Sequence, residues 1–227
     1  VLLQRELGIT STEVGALDIR NQCSGFIYGL SVADQFIKTG MYKNILLVGA
    51  EMHSMGIDFS TKGRNVTVIF GDGAGAVVIQ PTEEEGKGVL TTHLHSNGTH
   101  AEELAMITPG SHGGYHLGKE KFGFPPEEEP GGIFITQKML DDDLIYPNMN
   151  GQLVFKNAVV KFMEVIGEAL QTTGYKKEDI DILFSFLNHY VTRNYIPFSA
   201  SMCLCAEWAR EVRLYPPSNT ETMRLLL

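Results

Sequence analysis

Asp18-Ile19-Arg20-Asn21-Gln22-Cys23-Ser24-Gly25-Phe26-Ile27-Tyr28-Gly29-Leu30 is the stretch whose reading decides the fold. An extended run meets a small, Gly-containing turn at Cys23. A helical pattern then begins, with Phe26, Leu30, Ala33 and Ile37 at the spacing of one helix face. The thiol is thereby placed at or next to a helix N-terminus. Unpaired N–H groups and the positive end of the helix dipole favour a thiolate there. A lowered thiol pKa is what nucleophilic catalysis needs. The other reading of the same residue is a buried cysteine acting as a small core side chain.

Two further segments bear on the choice. One is Phe70-Gly71-Asp72-Gly73-Ala74-Gly75-Ala76-Val77-Val78, and the other is Met149-Asn150-Gly151-Gln152-Leu153-Val154-Phe155-Lys156-Asn157-Ala158-Val159. Together with the NQCSGFIYGL run, and in this order, they resemble the signature segments of ketoacyl-ACP synthase III, within the thiolase-like condensing enzymes. The resemblance covers about residues 1–183. It implies an α/β fold, thiolase-like and layered as α-β-α-β-α from two duplicated halves, incomplete in this chain. It also implies an acyltransferase of fatty-acid or related polyketide-type biosynthesis.

Length and composition are compatible with that class. The chain has 227 residues, 43% of them hydrophobic and 20% charged, which suits a globular protein with a sizeable core. A net charge of −9 argues against a general nucleic-acid binder. Three cysteines, two of them close together near the end, do not make a disulfide framework. A reduced, cytoplasmic setting is expected, and a catalytic thiol needs one. No apolar run approaches the length of a membrane span. Val1 to Gly8 reads as the tail of a helix ended by Gly8, so the chain is expected to be truncated at its start.

The coarse pattern alternates strands and helices. Residues 16–21 read as a short strand and 24–39 as a helix stopped by Gly40. Lys43 to Gly49 is a continuous apolar run with charged edges, as expected of a buried parallel strand. Val66 to Phe70 and Ala74 to Gln80 read as strands joined through the Gly-rich turn, and Val89 to His95 as another. Residues 96–147 are irregular, which is long for a connection in a compact domain. Residues 152–173 form an amphipathic helix stopped by Gly174, and a strand begins at Asp179. The polar break Glu83-Glu84-Glu85-Gly86 divides residues 1–82, the remainder of an N-terminal half carrying the nucleophile, from a C-terminal half at 86–183. Residues 184–227 form a tail without the family pattern.

Other features have plainer readings. GDGAGA lacks the ending of a P-loop, and strand residues follow it, so it reads as a tight turn with close backbone packing rather than a phosphate cradle. His93, His95, His100, His112 and His116 match no recognised metal spacing and read as solvated or hydrogen-bonded surface residues. No metal is expected. Glu127-Glu128-Glu129 and Asp141-Asp142-Asp143 read as solvated charge runs.

The chemistry implied by the resemblance starts with the Cys23 thiolate attacking an acyl-CoA. A malonyl-acyl carrier protein then loses carbon dioxide, and its carbanion attacks the acyl group in a decarboxylative Claisen condensation. Coenzyme A enters as the thioester substrate, and no separate cofactor is expected. Arg64 and Asn65 fall where the family contacts coenzyme A. Gly151 and Phe155 fall on its pantetheine tunnel, and Lys156 on a basic position near the carrier-protein mouth. On their own, Arg64 is an ordinary loop cation and Phe155 a core aromatic. A homodimer is implied. After Leu183 the family's V-P-H-Q-A-N is replaced by Phe184-Ser185-Phe186-Leu187-Asn188-His189-Tyr190, which puts His189 about three positions late. Codons for Ser218 to Leu226 permit Q-Y-G-N-N-A-A-A in another frame, close to the family's asparagine motif. The tail from about 184 is therefore expected to be a frame-shifted translation. Acyl transfer without decarboxylation, and an inactive fragment, are the alternatives.

Overall fold

The computed structural model describes residues 1–107, 135, 137–180 and 183. The histidines at 112, 116 and 189, the Glu127–Glu129 run, Cys203, Cys205 and the tail lie outside the described residues.

A five-residue helix, α1 (Leu2–Glu6), opens the chain, with Gly8 just beyond it at φ +68°. Residues 16–21 then run without regular structure, not as the expected strand, and among the described residues no neighbouring strand offers them a ladder. A 3-10 turn (Gln22–Ser24) leads into α2 (Gly25–Lys38). The spacing of its apolar residues buries one stripe, Gly29, Leu30 and Ala33. After α2 the chain doubles back: Met41 N–H donates to the Phe36 carbonyl at 3.0 Å, and the Phe36 and Tyr42 rings meet edge to face at 5.6 Å. It then enters β1 (Ile45–Glu51).

The strand β2 (Gly73–Ile79) pairs with β1 antiparallel, from Ile45 opposite Ile79 to Glu51 opposite Gly73. This corrects the buried parallel strand expected at 43–49. Period-two burial runs along both strands. Ile45, Leu47, Gly49 and Glu51, with Gly73, Gly75, Val77 and Ile79, share the more covered face. Leu46, Val48, Ala50, Ala74, Ala76 and Val78 share the other. That outer face is apolar and open, with Leu46 47% and Val78 66% exposed. A run without polar alternation reads as doubly buried only when something covers both faces, and among the described residues only one is covered.

Two more expected strands are corrected. Val66 to Phe70 begins inside a short helix, α3 (Arg64–Thr67), where Gly63 to Thr67 close their own i→i−4 turn at 2.9 Å. Val89 to His95 is an irregular strap held by side chains rather than a ladder. Ser31 of α2 meets Thr92 at 3.0 Å, and Tyr28 reaches the His95 carbonyl at 3.4 Å. A two-residue pair follows, β3 (Leu104–Ala105) antiparallel to β4 (Asn148–Met149). Beside it, a small core forms from Ile107 and Met139 of α4 (Gln137–Asp141), with Ala105, Leu144 and Ile145 around them. The long helix α5 (Gly151–Thr173) starts one residue before the expected helix and ends at Gly174, φ +73°. Its N-cap, Asn150, accepts from the Leu153 N–H at 3.3 Å. Lys177–Asp179 is a 3-10 turn, so no strand starts at Asp179.

Gly29 sets the approach of α2 to β1. A Cβ at that position would lie 2.8 Å from Leu47 Cδ1. Glycine in mid-helix costs roughly 1 kcal/mol against alanine, so its presence here reflects the close packing. For Gly29→Ala the helix gain and the clash offset each other. The decisive substitution is Gly29→Val, expected to lose about 1–3 kcal/mol in urea unfolding through overpacking. Adding Leu47→Ala should restore part of that loss, since the two side chains share one space. Additive losses in the double variant would show that the two do not meet.

Candidate active site

Cys23 sits on the 3-10 turn at the head of α2, and its surface is exposed. Neighbouring side chains fix the turn. Asn21 Nδ2 donates to Ser24 Oγ at 3.3 Å, and Ser24 Oγ donates to the Asn21 carbonyl at 3.4 Å. Gln22 has φ +35°, one of two non-glycine residues among those described with positive φ. Such a conformation costs on the order of 1–3 kcal/mol and concentrates at functional sites. Here it turns the chain so that the following residue is a solvent-facing thiol rather than a core filler. The buried-cysteine reading is thereby set aside.

The expected depression of the thiol pKa is not found. Cys23 is raised above its ordinary value of 9.0, first by desolvation, then by the Glu51 carboxylate, with a backbone hydrogen bond pulling the other way. The side chain's surface is open while one flank is packed, so exposure decides access and the packed flank decides the direction of the shift. The folded chain therefore holds this proton more tightly than the unfolded chain. The associated stability is complete below the ordinary value and is lost as pH rises through the raised one.

The Gly-rich segment after Phe70 ties down the end of β1. Ser54 donates to Asp72 twice, from its N–H at 2.8 Å and from Oγ at 2.5 Å. These bonds, the Ser54 side chain first, hold the Asp72 carboxyl below the usual range. His53 Nδ1 lies 3.1 Å from the Gly71 carbonyl, and its ring packs at a tilt of 52° against Phe70, with centroids 4.8 Å apart. The structural reading of GDGAGA is favoured: the glycines pave the covered face of β2, opposite the end of β1.

A second feature is a cleft of about 270 Å³ lined in part by Asp58, Lys62, Val66, Asp143, Tyr146 and Asn148. Asp58 organises its wall. It accepts from the Ser60 N–H at 2.7 Å and the Ser60 hydroxyl at 2.8 Å, which lower its pKa, while its carbonyl accepts from Thr67 Oγ1 at 2.6 Å. Lys62 bridges to Asp143 at 2.6 Å, and that hydrogen bond raises the lysine. Gly63 is required where the chain folds over Asp58, because a Cβ there would collide with the Asp58 carbonyl.

Arg64 and Asn65 are exposed on α3, flanked by the cleft-lining Gly63 and Val66, and are not themselves lining residues. Gly151 opens α5 just past the lining residue Asn148, Phe155 is 42% exposed one turn on, and Lys156 is exposed beside it. None of Arg64, Asn65, Gly151, Phe155, Lys156 and Cys23 is among that cleft's lining residues; the first two flank it in sequence through Gly63 and Val66, and Gly151 follows its lining residue Asn148 by three positions. Sequence reading missed Glu51, Asp58, Lys62 and the strained Gln22. It also read Asp143 as merely solvated, whereas Asp143 faces Lys62. The one available signal was the Asp58-Phe59-Ser60-Thr61-Lys62-Gly63 run, a turn sequence with its own charge pair. His93 and His95 are hydrogen-bonded as expected: His93 Nε2 to Thr91 Oγ1 at 3.0 Å, His95 Nε2 to Glu168 Oε2 at 2.7 Å.

Solved structures place this arrangement in a class. The 3-oxoacyl-[acyl-carrier-protein] synthase III of Aquifex aeolicus VF5 superposes with a TM-score of 0.57 at 34% identity, over 79% of this chain and 45% of the other. The Thermus thermophilus enzyme gives 0.58 at 31%, over 79% and 46%. The fold is thus the α/β fold of the thiolase-like condensing enzymes, present in part. The family profile described as 3-Oxoacyl-[acyl-carrier-protein (ACP)] synthase III matches residues 17–98, the span that holds Cys23, both long strands and the strap. Beta-ketoacyl-[acyl-carrier-protein] synthase III of Rhodospirillum centenum is 37% identical over 93% of this chain and 53% of its own length. That of Xanthomonas euvesicatoria is 38% identical over 80% and 47%. The chain belongs to the 3-oxoacyl-[acyl-carrier-protein] synthase III family. It spans about half the length of the curated relatives it matches. An alignment over 93% of the chain runs beyond residue 183, so similarity extends into the segment read as lacking the family pattern.

The strain at Gln22 is testable. Gln22→Gly should unfold within about 1 kcal/mol of the parent or above it, because relief of strain offsets the added chain entropy. Gln22→Val should lose about 1–2 kcal/mol, the cost of a left-handed conformation at a β-branched residue. Equal losses in the two variants, measured by urea unfolding, would mean that the turn carries no strain.

Proposed function

We propose that Cys23 is the acyl-accepting nucleophile of a decarboxylative Claisen condensation between an acyl-CoA and malonyl-acyl carrier protein, in fatty-acid or polyketide-type biosynthesis. The observation that carries this reading is an exposed thiol presented at the head of α2 by a strained residue, inside the stretch that matches the family profile. In the loading step the Cys23 thiolate attacks the thioester carbonyl. The carbon–sulfur bond to Cys23 forms, the one to coenzyme A breaks, and coenzyme A leaves as the thiolate that takes up the proton. In the second step the malonyl thioester loses carbon dioxide. Its carbanion then forms a carbon–carbon bond with the acyl group and expels the Cys23 thiolate.

Arg64 and Asn65 are proposed to meet the coenzyme A nucleotide and Gly151 and Phe155 its pantetheine arm. What supports this is the match of these positions to the family segments and the exposure of Arg64, Asn65 and Phe155. Lys156, exposed on α5, is proposed to meet the acidic carrier protein. A homodimer is part of the same reading, and the open apolar face of the β1–β2 pair is consistent with a covering partner. The halves 1–82 and 86–183 are proposed as units, supported by the fully exposed stretch 81–88 between them. Among the described residues no helix is long and apolar enough to cross a membrane. No group of three or more His, Cys, Asp or Glu there could hold a metal ion. His53, His93 and His95 are each engaged by other groups, so none is assigned as the donor to the malonyl carbonyl.

The test is mass spectrometry after incubation with acetyl-, butyryl-, hexanoyl- and octanoyl-CoA. An acyl adduct is expected on Cys23 and is expected to vanish in Cys23→Ala. An adduct on Cys203 or Cys205 instead, or none at all, would overturn the assignment. Release of carbon dioxide from malonyl-acyl carrier protein is expected to be about 10²–10³-fold slower than in a full-length relative, the usual cost of lacking a positioned carbonyl donor, none being assigned among the described residues.

A further inference from the structure

The covered face of the strand pair carries one charged side chain, and the packing sets it beside the nucleophile. The chain reverses between α2 and β1, so the two run antiparallel, and Gly29 meets Leu47 at the crossing. From Leu47, four residues along β1 reach Glu51, about 13 Å on at strand rise. From Gly29, four residues back reach the start of α2 at Gly25, and the 3-10 turn before it carries Cys23, about 9–10 Å on in all at helix rise. Both steps run the same way. Glu51 also shares strand parity with Leu47 and therefore faces α2. The carboxylate is thus delivered to the level of the thiol, opposite Gly73, where β2 presents no side chain of its own.

We propose that Glu51 is a specificity-determining positioning residue of the Cys23 site: its carboxylate disfavours negatively charged acyl groups at the sulfur, so that neutral acyl thioesters load and malonyl thioesters do not. This rests on the reading of Cys23 as the acyl acceptor and deepens it. In a condensation that uses two thioesters, malonyl loading on the nucleophile is the unproductive reaction, and a fixed negative charge is the simplest filter against it.

The other charged groups around the site do not supply this field. The inward positions of β2 are Gly73, Gly75, Val77 and Ile79. On the lead-in to α2, Asp18 and Arg20 are exposed. Asp72 is occupied by Ser54, and His53 by the Gly71 carbonyl. Asp34 pairs with Lys38 a full helix away, and on the strap His93 and His95 face Glu168. The direction of the Cys23 shift, in which the Glu51 charge takes part, agrees with the placement.

The test needs no acyltransferase activity. Alkylation of Cys23 in the 227-residue chain is followed by peptide mass spectrometry with neutral iodoacetamide and anionic iodoacetate. Both reagents meet the same thiolate, so their rate ratio reports the local field and cancels the thiolate fraction. Glu51→Gln is expected to raise the iodoacetate-to-iodoacetamide ratio on the order of tenfold at low salt. It should also move the pH midpoint of iodoacetamide labelling downward. Glu51→Asp, which keeps the charge, should stay near the parent, and 1 M salt should narrow the difference. A ratio unchanged in Glu51→Gln, or shifted equally in Glu51→Asp, would overturn the proposal. A shifted ratio in a chain that takes no acyl group from any acyl-CoA would sustain the field at Cys23 and remove the acyl-acceptor reading instead.

Discussion

The contact of α2 with β1 at Gly29 and Leu47 is the constraint on which the rest depends. It fixes how close the helix lies to the sheet and how far along β1 each helical residue falls. Cys23 and Glu51 are neighbours because of that register. The strap at 91–95 can bond to Ser31 and Tyr28 because the same face of α2 is held in place. A fully buried Leu side chain such as Leu30 contributes about 1.5–3 kcal/mol, so the packing, more than the turn's own hydrogen bonds, holds the helix that follows Cys23.

What the sequence made legible follows from period. The α2 and α5 stripes repeat at helical spacing and were read to within a residue or two. Gly40 and Gly174 punctuate them as expected. The pattern that failed is the continuous apolar run at 43–49. Such a run states that both faces are apolar, and the inference to a parallel, doubly covered strand assumes that both are buried. Here the outer face of β1 is apolar yet open, and the partner is antiparallel. Val66 to Phe70 misled for a related reason: β-branched residues raise strand propensity only slightly, and the turn anchored on Asp58 overrides it. Val89 to His95 looks like a strand, but side chains, its own and that of Tyr28, make its bonds rather than a backbone ladder.

The site was legible in part. Cys23 was singled out from its helix-start context and its resemblance to the family segment, and the structure exposes it at the head of α2. Arg64, Asn65, Gly151 and Phe155 were placed by resemblance, and none of them lines the cleft beside α3. Glu51 was invisible because nothing local marks it: it ends an apolar strand, and its meaning comes from a helix more than twenty residues earlier. Gln22 was equally silent, since a positive φ at glutamine leaves no signature in composition.

Cys23 shows why the helix-start argument decides position and not ionisation. A helix terminus stabilises a nearby charge by about 0.3–1 kcal/mol when exposed, falling off within one turn. The 3-10 turn before α2 weakens even that, because its N–H groups are not all aligned with the helix axis. Against it stand loss of hydration on the packed flank and a carboxylate at the end of β1, and these prevail. A thiol that rests protonated is protected from oxidation and from adventitious electrophiles, since the thiolate is the reactive form. Under the proposed acyl-acceptor role, its activation belongs to the substrate-bound state, in which a neutral acyl thioester brings an electrophilic carbonyl to the sulfur. The fold supplies placement, and the charge beside it supplies restraint.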